Sequence, residues 1–237
     1  MFRTKPILVA AFLAASPAAG GPVIAPETPG TAAPYDILAA EVTRTANGLR
    51  FRMQTLGAAG SLGPDPIGAL AGAPVHAYVW PLSLDPAAAG FEAGTGILAL
   101  AATRHPDFDD TPLHDENGDG NLTNDGDDWH SHWVVLRPDE ACGPGALAVR
   151  DIPEGATPKL PATWPGLPLF IDSPGFVPAF GDDSVVVDVT ISGVGEAGYD
   201  GVTAALRVNA NVHAPLLCVT DVFDVASGDL SLPGRIE

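Results

Sequence analysis

Between His105 and Trp133 the chain reads HPDFDDTPLHDENGDGNLTNDGDDWHSHW, the stretch whose side chains could do most chemistry. Nine are carboxylates (Asp107, Asp109, Asp110, Asp115, Glu116, Asp119, Asp125, Asp127 and Asp128) and none is Lys or Arg. Four of the six histidines, His105, His114, His130 and His132, fall here as well. Carboxylates crowded together repel and raise one another's pKa values unless a cation compensates. The stretch is therefore either a solvated loop or a wrapping for metal, and the order of its residues favours metal.

Asp115, Asn117 and Asp119 stand at alternate positions and are followed by Gly120 and Asn121. This is the D-x-[DN]-x-[DN]-G pattern of a calcium loop. Alternate oxygen-bearing side chains can converge on one hard cation, the glycine permits the sharp turn, and the next residue, Asn121, supplies a backbone carbonyl. With the aliphatic Leu122 following, residues 115–126 resemble a calcium loop of the EF-hand or dockerin type. The resemblance implies Ca2+ and no wider family. It departs from the pattern at its last position, where Gly126 replaces the bidentate Glu, so Asp125, Asp127 or Asp128 must complete the shell. Pro106 and Pro112 argue against an entering helix. The expectation is an isolated calcium loop on a β-scaffold, with a solvated acidic turn as the alternative.

His130 and His132 form an H-x-H pair at the start of a strand-like run. A period of two sends both rings to one side, with Trp129, Ser131 and Trp133 on the other. If the runs 96–104 and 130–136 pair as neighbours, the acidic loop closes them like a hairpin and His105 joins the pair. Three imidazoles at the mouth of a loop are a candidate Zn2+ or Cu2+ site, with carboxylates near enough to ligate or orient them. The alternative is that they hydrogen-bond aspartates and cap the calcium loop. His114 is a further candidate ligand, while His213 reads as structural. The chain has no G-x-S-x-G elbow, no H-E-x-x-H and no phosphate-binding glycine loop, so binding is favoured over catalysis. A carboxylate pair for glycoside hydrolysis stays open, because that chemistry is defined by a spacing in three dimensions.

Strands must position these residues. Asn47-Gly48 between alternating apolar residues signals a hairpin whose turn tolerates positive φ. In its second arm Leu49, Phe51 and Met53 face one way, and Arg50, Arg52 and Gln54 the other. In the run 75–80, His76, Tyr78 and Trp80 share a face, which reads as an aromatic-lined core or, less simply, a binding face. The run 96–103 is apolar on both faces and so predicts a central strand. Further runs lie at 146–150, 185–191, 202–208 and 219–225. The proline-rich segment 152–181 is too long for a simple connection, and its Trp164, Leu167, Leu169, Phe170 and Phe176 predict an ordered loop packed over the domain. With almost no helical period, the pattern predicts an antiparallel β-sandwich of about nine strands with long inserted loops. In layout the opening hairpin and the Tyr/Trp strand resemble sandwich domains that bind haem or sugar, a likeness that carries no functional residues.

The 237 residues suffice for a single domain over 35–237, and 27 glycines with 24 prolines suit short strands and turns. A formal charge of −18 argues against nucleic acid, whose phosphates need neutralising. Residues 1–20 read as an export signal, with Arg3 and Lys5 before a short apolar core and small residues after it. That run is too short to span a bilayer and no other segment approaches the length. Residues 21–34 read as a Pro/Ala-rich linker. In the periplasm or outside the cell, Cys142 and Cys218 would bridge; two buried thiols are the alternative. The expected protein is an exported, calcium-containing binding protein with a histidine-rich Zn2+ or Cu2+ centre, whose partners are metal ions and a small molecule or glycan. A carbohydrate-binding module and a metal-dependent hydrolase are the alternatives.

Overall fold

A computed structural model describes residues 20–65, 70–105, 119–121, 128–209 and 215–236. The run up to residue 19, expected to be an export signal, most of the acidic stretch, His114 and His213 lie outside these residues. Among the described residues the chain forms fourteen strands: β1 (Val23–Ile24), β2 (Ile37–Thr45), β3 (Gly48–Thr55), β4 (Pro74–Pro81), β5 (Ile97–Arg104), β6 (His130–Pro138), β7 (Leu147–Val149), β8 (Ile171–Asp172), β9 (Ala179–Phe180), β10 (Ser184–Thr190), β11 (Ala197–Tyr199), β12 (Val202–Val208), β13 (Leu217–Val225) and β14 (Gly234–Ile236). Every pairing is antiparallel. No described helix is long and apolar enough to cross a membrane.

The all-β expectation holds, but the nine-stranded sandwich does not. One sheet has the order β1-β2-β3-β10-β9, a second pairs β11 with β14, and the third runs β5-β4-β12-β13-β7-β6-β8, where β5 also pairs with β6 and closes six strands into a barrel. Alternation of period two is the same in a sandwich and in a barrel, and the β5–β6 pairing closes a barrel here because β4, β12, β13 and β7 also pair in turn around the ring. The open sheet packs on the outside of that barrel. Leu49, Phe51 and Met53 of β3 and Val185, Val187 and Val189 of β10 meet Tyr78, Trp80, Leu98, Leu100, Trp133 and Val135 from β4, β5 and β6. The other face of those barrel strands, with Val75, Ala77, Val79, Ala99, Ala101, Val134 and Leu136, lines a second core. Strand β5 is apolar on both faces because each face meets a different core.

The register around the barrel is strongly staggered. Ile97 pairs with Leu136, Leu136 with Val149, Val149 with Leu217, and Leu217 with Val208. Val208 N then donates to Ala73 O at 3.0 Å or less (2.9 Å), and Ala73 lies beyond the His76–Arg104 pair, past the opposite end of β5 from Ile97. For a given number of strands, a larger stagger tilts the strands and widens the barrel. Here it gives six strands room for an interior space.

Two local expectations change. Residues 21–34 are not merely a linker: Val23 pairs with Ala40, and Val23 and Ala25 are buried in the interlayer core. The β2–β3 hairpin forms, with Thr45 opposite Gly48, yet none of Ala46, Asn47 and Gly48 has a positive φ. Gly48 is needed for a different reason, since a Cβ there would stand 1.9 Å from Val189 O on β10. The proline-rich segment does pack over the domain. Phe170 is fully buried, and Trp164 Nε1 donates to Leu167 O at 2.9 Å and to Leu169 O at 3.2 Å. The Cys142–Cys218 disulfide is present, with Cα atoms 5.5 Å apart, and it ties the β6–β7 connection to β13.

Candidate ligand cavity and histidine cluster

Alternation along the strands turns one set of side chains into the barrel. Val75, Ala77 and Val79 come from β4, Ala101 and Thr103 from β5, His132, Val134 and Leu136 from β6, and Val202, Ala204, Leu206 and Val208 from β12. Leu167, Leu169 and Ile171 of the proline-rich segment complete the wall. Ala77 and Ala204 are opposite one another in register, so small residues meet where branched ones would fill a barrel. The result is a cavity of about 520 Å3. Native packing leaves few voids larger than a water molecule. The size falls within the range of small-molecule sites, roughly 300–1,000 Å3.

Polar lining is sparse and segregated. Thr103, His105 and His132 lie together where β5 ends and β6 begins, while Ser83 and Asp85 lie elsewhere on the wall. The latter two are engaged by backbone: Ser83 Oγ accepts from Gly198 N at 2.7 Å, and Asp85 accepts from Ala87 N at 2.8 Å and Gly94 N at 2.9 Å. Ile97, Val222 and Leu230 also line the space and are partly exposed, at 36%, 47% and 39%. Leu230 and Leu232 have φ of 57° and 54°, a left-handed conformation that is costly for leucine.

The sequence placed His105 beside the H-x-H pair, and the structure brings all three rings together. His105 and His130 have ring centroids 5.1 Å apart, and His130 and His132 4.7 Å apart, both edge to face. Thr103 pairs with His130 in the β5–β6 register. His130 is fully buried, with Nδ1 2.8 Å from Asp128 O and Nε2 3.3 Å from Thr103 Oγ1. A carbonyl only accepts, so Nδ1 carries the proton and, in the neutral ring, Nε2 accepts from the Thr103 hydroxyl. His132 Nδ1 lies 3.1 Å from Ser173 Oγ and 3.3 Å from Asp172 O, which orients its ring by the same logic. Among the described residues, no group of three or more His, Cys, Asp or Glu side chains is arranged to hold a metal ion.

Of the residues expected to bind Ca2+, Asp119 and Asn121 are described, and both are exposed. Asn121 N donates to Asp119 Oδ1 at 2.7 Å, and Gly120 between them has φ 85°. Asp115, Asn117, Asp125 and Asp127 lie outside the described residues. The tryptophans at the loop's end belong to the core. Trp133 is buried, and the half-buried Trp129 donates to Gly60 O at 3.0 Å and packs on Tyr78 and Phe180 at 5.1 and 5.3 Å.

Sequence reasoning did not find the cavity. Its signal was the inward Ala77, Ala101 and Ala204 in runs that read only as generally apolar. A second buried polar contact was also missed. Tyr35 Oη donates to Leu62 O at 2.7 Å, so its single proton is spent, and His76 Nδ1 at 2.7 Å must be the donor to it. Burial pushes the Tyr35 hydroxyl well above its ordinary range and holds His76 below 6.5. No protein-family model, curated protein or solved structure matches this chain.

Proposed function

We propose that this chain is an exported binding protein that holds an apolar small molecule inside its six-stranded barrel. The observation that carries this is the cavity of about 520 Å3, walled by aliphatic side chains and with Thr103, His105 and His132 grouped where β5 ends and β6 begins. Burying a ligand's apolar surface there gains roughly 25 cal/mol per Å2, which offsets the cost of keeping the space open. The signal-like residues 1–20 support export, and the disulfide fits an oxidising compartment. In this reading the acidic stretch 115–126 binds Ca2+ rather than taking part in ligand binding. Titration with the uncharged fluorophore N-phenyl-1-naphthylamine tests the barrel. One molecule should bind per chain with enhanced emission, and Ala204→Phe, which fills the space, should abolish it. Wild-type protein that leaves the fluorophore in water, or a filled variant that binds it equally well, would remove the reading.

The contiguous His105, His130 and His132 rings favour a second reading, a Zn2+ or Cu2+ centre. The rings would have to turn so that their nitrogens converge, giving up the present hydrogen bonds of His130. Calorimetric titration of chelator-treated protein with Zn2+ should then show one site, lost in the His130→Ala/His132→Ala variant. Equal uptake by both proteins would make the cluster structural.

A further inference from the structure

We infer that the barrel's occupant is an aliphatic chain ending in one hydrogen-bonding head, a carboxylic acid or an alcohol, an inference that rests on the barrel being the binding site. Its head group lies at Thr103, His105 and His132, and its chain runs among the valines and leucines.

The wall itself selects the chain. Among the described residues neither Phe, Tyr nor Trp lines the cavity, and the carboxylate that does, Asp85, is engaged in capping two backbone amides. The aromatic rings are instead spent in the interlayer core, where Phe51, Tyr78, Trp80 and Trp133 pack. A planar ring system is recognised by stacking, which this wall does not offer. Branched aliphatic walls reward apolar area without fixing a plane, which suits a flexible chain. A sugar or nucleoside would need polar partners spread over its whole outline, whereas among the described residues Thr103, His105 and His132 are gathered at one point and Ser83 and Asp85 are taken up by backbone amides.

That point suits a single head group. The Thr103 hydroxyl is both a donor and an acceptor, and with His130 Nε2 at 3.3 Å it keeps acceptor capacity. His132 is held through Nδ1 by Ser173 and Asp172, so its ring is already oriented beside Thr103 when a head group arrives. A hydroxyl or carboxylic acid joins such a network by sharing its bonds, and an alkane terminus cannot. Elsewhere on the wall Ile97, Val222 and Leu230 present partly exposed apolar side chains, where the end of a longer chain meets solvent at little cost. Leu230 and Leu232 stay over the space despite their left-handed backbone because Ser231 N donates to Asp229 Oδ1 at 3.0 Å and Arg235 Nη1 to Leu232 O at 2.7 Å.

The test is displacement of N-phenyl-1-naphthylamine from the full chain by decanoic acid, 1-decanol and decane, each compared at the same fraction of its water solubility. The acid and the alcohol should displace about tenfold more effectively than decane, the ratio expected of one good hydrogen bond. In Thr103→Val that advantage should disappear. Should decane match them in the wild type, the head-group assignment is overturned and the barrel remains a binding site. Failure of the fluorophore to bind wild-type protein, or its indifference to Ala204→Phe, overturns the barrel reading instead. If Thr103→Val does not fold, the imidazole nitrogen signals of wild-type His105 and His132 decide. They should shift with decanoic acid and stay with decane, and equal responses would sink the assignment.

Discussion

Thr103 and His130 face each other across the β5–β6 pair, with the threonine hydroxyl 3.3 Å from His130 Nε2. This contact lies on the seam that turns a sheet into a barrel, and both side chains are buried. Removing one partner of a buried hydrogen bond leaves the other to bear its desolvation. Thr103→Val should therefore cost about 1 kcal/mol, and His130→Ala, which also opens a hole, about 3 kcal/mol. Urea denaturation measures both. A His130→Ala protein as stable as wild type would show that the cluster is not part of the seam's support.

The disulfide makes a second stability prediction. Cys142 and Cys218 are 76 residues apart, and closing a loop of that size restricts the unfolded chain by roughly 4 kcal/mol in the chain-entropy account. The Cys142→Ser/Cys218→Ser variant should melt well below wild type, and native oxidised protein should offer no alkylatable thiol. Two titratable thiols in protein recovered from an oxidising compartment would contradict the bridge.

Gly48 separates two explanations of one residue. A turn requirement would make Asn or Asp acceptable there, whereas close approach of Val189 O, 1.9 Å from the position of a Cβ, tolerates no side chain. Gly48→Ala should cost about 3 kcal/mol or more by prising β10 from β3, with Gly48→Asn no better. Thermal melts of the two variants distinguish the cases, since rescue by asparagine belongs only to the turn.

These residues also show what a sequence can carry. The runs at 75–80, 96–104 and 130–136 became β4, β5 and β6 because alternation and β-branched content act locally. The His105–His130 contact was legible because one loop joins two neighbouring strands. Barrel closure was not, because it depends on the register of β7, β12 and β13 all the way around, and no local pattern records that stagger. The two-residue strands β1, β8 and β9 are too short to show any period. The cavity escaped for a related reason: Ala77, Ala101 and Ala204 are small apolar residues in any context, and only the closed ring sets them around one space.

Calcium is the prediction that bears on the acidic loop. The Asn121 N–Asp119 Oδ1 bond at 2.7 Å holds the turn around Gly120, and the motif supplies oxygens at alternate positions. An ion that binds only the folded loop stabilises by linkage, about 2.7 kcal/mol at a hundredfold excess over its Kd. Millimolar Ca2+ should raise the melting temperature of chelator-treated protein, and Asp119→Ala should lose most of that rise. If neither protein responds, the stretch is a solvated turn.

Burial of the three tyrosines predicts a loss of stability at alkaline pH. Burial is the leading cause in each case: Tyr78 is pushed up to about 12, and Tyr35 and Tyr199 also lie above the ordinary 10.0. For Tyr78 the Gly60 N–H, donating to its hydroxyl at 2.8 Å, opposes the shift without cancelling it. An acid whose folded pKa is raised holds its proton more tightly when folded. The stability this gives is full below pH 10 and is lost as the pH rises through the folded value. For Tyr78 alone that loss is on the order of 3 kcal/mol between about pH 10 and 12, at about 1.4 kcal/mol per unit. The sign reverses at His76, where burial lowers the pKa below 6.5, so its contribution is present above 6.5 and fades as the pH falls further. Tyrosinate absorbance should thus stay low in native protein past pH 10 and then rise together with unfolding, while guanidinium-unfolded chain titrates near 10. Three phenols ionising near pH 10 with the fold intact would mean that Tyr35, Tyr78 and Tyr199 are not buried between the barrel and the open sheet.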